Sequence, residues 1–216
     1  MGGVTARVLS VNVGRSRTAE WAELGATSMD KRSVTGPVQV TTRGIATDTQ
    51  TDTKHHGGPD QAVYAFARED LDLWSERLGV DLRNGQFAEN LTTEGIDVNA
   101  AEIGERWRIG TAVFEVCHVR TPCNDFKNWM GVSGYDNTQW VKKFTQECRP
   151  GPYLRVLEEG VVCAGDTIDV VHRPGHGVTV TDLFRAKNLD HSMRPALMAP
   201  GVFEFLSAEM RTKLTE

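Results

Sequence analysis

The segment Val119-Arg120-Thr121-Pro122-Cys123 holds the thiol best placed for chemistry. A thiolate binds soft metals or attacks electrophiles, and a neighbouring cation favours that form. Arg120 stands three residues before Cys123. Pro122 has no backbone N–H and fixes its own φ, so a strand running toward it ends there and presents the thiol in a turn just beyond. The same residues also fit a buried structural cysteine beside a strand-ending proline. The other cysteines, Cys117, Cys148 and Cys163, are scattered without a C-x-x-C pair, which suggests neither a disulfide scaffold nor a zinc ribbon. Cys117-His118 with Cys123 matches no common zinc spacing.

A second chemically loaded stretch runs from Asp48 to Asp60, thirteen residues without an aliphatic side chain. Polar loops of this length in compact domains are often functional. Lys54 and the pair His55-His56 suit an anionic ligand. Gly57-Gly58 lets the backbone approach a ligand closely or adopt positive φ. A solvated turn is the plainer alternative for these residues.

The elements that must position these groups read mostly as strands. Residues 6–13 alternate, with Leu9, Val11 and Val13 on one face. Residues 34–40 form a second strand-like stretch, broken at Gly36-Pro37 in the manner of an edge or a bulge. Residues 61–67 are a short strand. Leu71, Trp74 and Leu78 predict a helix over 68–78, with Gly79 as its C-terminal stop. Residues 86–91 read as a strand or the approach to one. Residues 103–110 and 111–119 pair as a hairpin, and the second strand is apolar on both faces. A helix is expected from Asn137, as its N-cap, to Glu147. Strands follow at 153–157 and at 161–171, the latter interrupted at Gly165-Asp166. Arg173-Pro174-Gly175-His176-Gly177 marks a boundary, and the chain then turns helical at 181–188 and 202–214.

The chain has 216 residues, 39% of them hydrophobic, enough for a core without disulfide staples. A net charge of −5 gives no footprint for nucleic acid. No signal-like stretch or run of about 18 apolar residues appears, so a cytoplasmic protein without membrane association is the default. No G-x-G-x-x-G follows a strand, so no nicotinamide or flavin fingerprint is present.

Taken in order, the motifs resemble those of the MOSC domains, named for the C-terminal domain of molybdenum cofactor sulfurase. They are Gln50-x-Asp52 running into His56-Gly57-Gly58, Phe87-x-Glu89-Asn90-Leu91, Ile103-Gly104, Arg120-x-Pro122-Cys123, Gly151-x-Tyr153-Leu154-Arg155-Val156 and Gly165-Asp166. The match spans roughly residues 6–171, and the helical tail is similar to the three-helix extension of a stand-alone bacterial branch. The resemblance implies an α+β, mainly β fold centred on a β-barrel, with a MOSC domain over residues 1–173 and a helical extension over 178–216. It also implies a molybdenum cofactor (molybdopterin) held by the Cys123 thiolate, with catalysis by Cys123 and His56. Lys54, His56, Gly57, Asn90, Arg120 and Arg149 are the implied cofactor contacts. The implied reaction is reduction of a small N-hydroxylated substrate of the hydroxylamino-purine type, with electrons from a separate reductase; a homodimer is compatible. A carrier using a Cys123 persulfide and a non-redox ligand-binding barrel are the alternatives. Two positions depart from the family pattern. Ala88 replaces a glycine, which strains the chain if the site needs positive φ, and Glu105 stands where Asp is common.

Overall fold

The computed structural model describes residues 5–53 and 57–215. Its strands are β1 (Arg7–Val13), β2 (Arg17–Thr18), β3 (Ala26–Thr27), β4 (Arg32–Val34), β5 (Val38–Thr41), β6 (Gly44–Ile45), β7 (Val63–Ala67), β8 (Leu91–Glu94), β9 (Arg106–Ile109), β10 (Ala112–Val119), β11 (Pro152–Glu158), β12 (Gly160–Val162) and β13 (Ile168–His172). The helices are α1 (Arg68–Leu78), α2 (Asn124–Val132), α3 (Trp140–Glu147), α4 (Val180–Asn188), α5 (Arg194–Leu197) and α6 (Ala208–Thr215). The fold is mixed α+β and strand-rich.

Eight strands form one sheet in the order β13-β9-β10-β11-β7-β8-β1-β4; β12-β5-β6 form a second and β2-β3 a ribbon. The large sheet is antiparallel except between β7 and β8. All eight residues of β10 and all five of β7 are buried, as expected for central strands covered on both faces. The sheet curls until its start meets its far edge. Val8 N–H donates to Asp166 O (2.9 Å), Gly165 N–H to Val8 O (2.8 Å) and Ile168 N–H to Ala6 O (2.9 Å). Among the described residues the named strands nevertheless form an open order rather than a closed barrel.

Helix α1 spans the predicted residues, buries Leu71 and Trp74, and stops at Gly79 in the left-handed region at φ 67°. The β9–β10 hairpin also forms as expected. The stretch 34–40 is two strands rather than one, and they join different sheets on either side of Gly36-Pro37. Residues 86–89 are a turn leading into β8. Asn137 does not cap α3. Its Nδ2 donates to Lys127 O (3.1 Å), and the helix begins after Gln139, which sits at φ 53°. The expected helix at 202–214 is a 3-10 turn, Phe203–Phe205, then α6 after a break at Ser207.

Helix α2 has no counterpart in the sequence reading, and it fixes the position of Cys123. Its Phe126 enters an aromatic cluster with Phe87 (5.2 Å between centroids), Trp140 (5.4 Å) and Phe144 (5.3 Å). Trp129 Nε1 donates to Gln86 O (2.7 Å). The C-terminal helices pack onto the same core: Val180, Leu183, Phe184, Leu206 and Met210 are buried in one continuous cluster with the sheet residues. Thr179 and Asp182 form a reciprocal capping box that starts α4.

Candidate functional site

Strand β10 ends at Val119, and four residues later Cys123 is the N-cap of α2. Its Sγ accepts a hydrogen bond from Phe126 N–H at 3.4 Å, in the role a Ser or Asp oxygen usually fills. The sulfur therefore faces the positive end of a helix of nine residues. It lies on the wall of a cleft of about 100 Å³. Among that cleft's other lining residues are Lys31, Asp48, Tyr64, Asn90, Arg120 and Tyr153.

Arg120 is buried. Its guanidinium lies 5.0 Å from the Phe126 ring centroid and 5.4 Å from that of Tyr64, and Nη1 donates to the Tyr153 hydroxyl at 3.2 Å. Burial opposes its charge, but Tyr153, Cys123 and Tyr64 outweigh burial and raise its pKa above the ordinary arginine value. Its Nε is buried with no partner. An orphaned donor on a buried cation suits an anionic partner.

Lys31 and Asp48 form an ion pair with side chains only 9% and 5% exposed. Burial pulls the Lys31 pKa down, and Asp48 counters it. Asp48 also accepts from Gly14 N–H (2.7 Å) and from Asn90 Nδ2 (2.8 Å). Asn90 Oδ1 accepts from Tyr64 N–H (3.2 Å), so its amide braces the polar loop against β7. Glu89, fully buried, accepts from Gly85 N–H, Phe87 N–H and Thr92 Oγ1, while burial raises its pKa. Those bonds hold the turn in which Ala88 lies at φ 63°. The position does require the left-handed region, so Ala88 carries the strain that glycine would avoid.

Of the residues expected at the site, Cys123, Arg120 and Asn90 converge on this cleft. Gly57 meets Cys123 in an adjoining cleft. A Cβ on Gly57 would lie 2.8 Å from Gln50 Oε1, so the loop folds on itself there. Lys54 and His56 fall outside the described residues. Arg149 is not on the cleft wall. Its guanidinium pairs with buried Asp70 and with Asp97 (3.0 Å), which makes it a strut for the fold. Lys31, Tyr64 and Tyr153 were not singled out for the site by the sequence. Lys31 carried no local signal, because its partner is 17 residues away. Among the described residues no group of three or more His, Cys, Asp or Glu is arranged to hold a metal ion. A metal bound at Cys123 would therefore bring most of its ligands with it. Nor, among them, is any helix long and apolar enough to cross a membrane.

The family model described as "MOSC domain" matches residues 52–169. The Bacillus subtilis protein YflK is 34% identical over 174 residues, 80% of this chain and 76% of its own length. A Gibberella moniliformis protein named "Reductase" is 27% identical over 189 residues, covering 84% of this chain but 33% of that protein. The crystal structure of YiiM from Geobacillus stearothermophilus superposes with a TM-score of 0.77 at 25% identity, covering 97% of each chain.

Proposed function

The chain belongs to the MOSC domain family, and from that premise we propose that it binds a molybdenum cofactor through Cys123 and reduces N-hydroxylated compounds. The observation that carries this reading is the Cys123 sulfur on a cleft wall, at a helix N-terminus, with buried Arg120 beside it. A thiolate is a suitable soft ligand for molybdenum. The cofactor's anionic groups match the unpartnered Arg120 Nε. When bound, the cofactor supplies two-electron removal of oxygen from nitrogen. An N-hydroxyl group takes up two electrons and two protons and leaves as an amine and water.

The chain's own residues hold and orient. Arg120, fixed between two aromatic rings and the Tyr153 hydroxyl, keeps a permanent positive charge in the cleft. Asn90 and Asp48 hold the Lys31 ammonium in place. The electrons come from a separate donor, since the sequence carries no flavin or nicotinamide fingerprint.

The test is to express the chain in a host that makes the cofactor, measure bound molybdenum, and assay reduction of an N-hydroxylated purine with a reduced viologen dye. Near-stoichiometric molybdenum with amine formation is expected. Absence of molybdenum overturns the reading. Molybdenum without reduction, with a sulfane sulfur on Cys123 by mass spectrometry, would favour the carrier role instead.

A further inference from the structure

Cys123 lies on a second cleft, of about 610 Å³, whose far wall is built by the C-terminal extension. Cys123, Gln61 and Tyr153 belong to both clefts, so the two meet at the sulfur. The second adds His118 from β10, Lys187 from α4, Ser207, and Glu209 and Lys213 from α6. The extension is tied down here. Ser207 N–H donates to Cys117 O (2.9 Å), and Ala208 N–H donates to Asp60 Oδ2 (2.7 Å). The His118 and Tyr153 rings lie within 20° of parallel with centroids 6.1 Å apart, and both residues are buried.

The charges on these walls do not balance. Glu209 Oε1 is shared by Lys213 Nζ (2.6 Å) and Lys187 Nζ (3.4 Å), so one carboxylate serves two ammonium groups. Its other oxygen lies 3.5 Å from His118 Nε2, and that hydrogen bond, followed by Lys213, holds Glu209 ionised against burial. Burial keeps His118 below the ordinary histidine pKa and also pulls Lys187 down, against the attraction of Glu209. Asp60 pairs with Arg155 Nη2 at 2.9 Å, and Glu115, which shares Arg155, also pairs with Arg106, so two carboxylates there meet two guanidinium groups. Thr121, also on this cleft, has a buried hydroxyl without a partner. A second ammonium beside a single carboxylate is a pattern that an incoming anion completes.

We propose that this second cleft seats the substrate, and that Lys187 and Lys213 select aromatic N-hydroxyl compounds bearing an anionic group, a carboxylate or a phosphate. The inference rests on reading the first cleft as the cofactor site. The cleft takes the ring, the lysines take the anion, and the N–O group is directed to the junction at Cys123. The C-terminal extension thereby determines which substrates reach the sulfur.

The test uses reduction products, whose binding needs no turnover. Calorimetry compares 4-aminobenzoate with neutral 4-aminobenzamide, and adenosine 5′-monophosphate with adenosine, on the full chain with molybdenum content measured in parallel. At least one anion of the two pairs should bind about threefold to tenfold more tightly than its neutral partner, and less so in high salt. Whichever pair shows the preference identifies the anionic group. Lys213→Ala should erase most of it and Lys213→Arg retain it; the side chain is 55% exposed, so the fold is not at risk. Glu209→Gln should strengthen anion binding, because it removes the competing carboxylate. Equal affinities within both pairs, or a preference untouched by Lys213→Ala, would overturn the inference. Molybdenum present with no anion preference fails this inference alone; a preference sensitive to Lys213 in protein that never retains molybdenum fails the cofactor reading alone.

Discussion

The two clefts that meet at Cys123 are built from different kinds of neighbour. The first is lined by strand ends and loops of the sheet region, and its polar groups are locked: Lys31, Asp48 and Asn90 bond one another and the backbone. The second is closed by the extension, and its carboxylate and outer lysine are 38% and 55% exposed. A locked, buried charge set suits a ligand that always stays. Exposed charges, screened and rotatable, suit a ligand that comes and goes. On the proposed reading, the contrast separates holding from choosing along one thiol.

The comparison breaks most decisively at the sulfur. Cys123→Ser should abolish molybdenum retention and N–O reduction with little change in melting temperature, since a hydroxyl still caps α2. Cys117 is the control. It is fully buried, its thiol lies 3.3 Å from Asp60 O, and burial pushes its pKa up to about 12. Cys117→Ser should keep its metal and lose about 1–3 kcal/mol of stability at most, read by denaturant unfolding.

Two arginines sharpen what the first cleft demands. Arg120→Met should cut molybdenum occupancy about tenfold or more, with stability nearly unchanged, because a buried cation with an unpaired Nε gives way to an apolar chain. Arg149→Met should do the reverse: full occupancy, and about 1–3 kcal/mol less stability as buried Asp70 loses its cation and keeps only Asn99. Equal effects of the two on metal content would undo the distinction.

The second cleft has an acid signature. The His118 pKa is lowered from 6.5 by burial, so below about 6.5 the unfolded chain binds a proton that the folded chain refuses. Stability then falls as pH drops through that window, by about 1.4 kcal/mol per pH unit at most. Unfolding of His118→Gln should lack this component. The Lys31 pKa, lowered from 10.5 in the first cleft, puts the corresponding window on the alkaline side. The smallest effect is expected at Ala88. Glycine there relieves about 1–2 kcal/mol of left-handed strain and costs about 0.5–1 kcal/mol in chain entropy. Ala88→Gly should therefore stabilise by at most about 1.5 kcal/mol, with metal content unchanged.

What the sequence made legible was local. Leu71, Trp74 and Leu78 with Gly79 located α1, and bracketing glycines located the β9–β10 hairpin, because periodicity and turn chemistry act over a few residues. The strain at Ala88 was visible as a departure from a pattern. Helix α2 was missed although Phe126, Trp129 and Met130 recur at helical spacing, since its cap is a cysteine rather than Ser, Thr, Asp or Asn. Asn137 looked like a cap by type, but its amide was claimed by Lys127 O. The Lys31–Asp48 pair and the Arg149–Asp70 pair are products of tertiary packing, so residue type misplaced one cation and overlooked the other.

The hydrogen bond from the Phe126 amide to the Cys123 sulfur has a kinetic and entropic side. A free cysteine samples three staggered χ1 wells, and any ligand must select one. Here the backbone of α2 has already selected it, and the aromatic cluster around Phe126 keeps that backbone still. Freezing an interfacial side chain typically costs about 0.5–1.5 kcal/mol on binding. At Cys123 that ordering is completed during folding, so a ligand reaching the sulfur finds its geometry in place and need not wait for a rotamer.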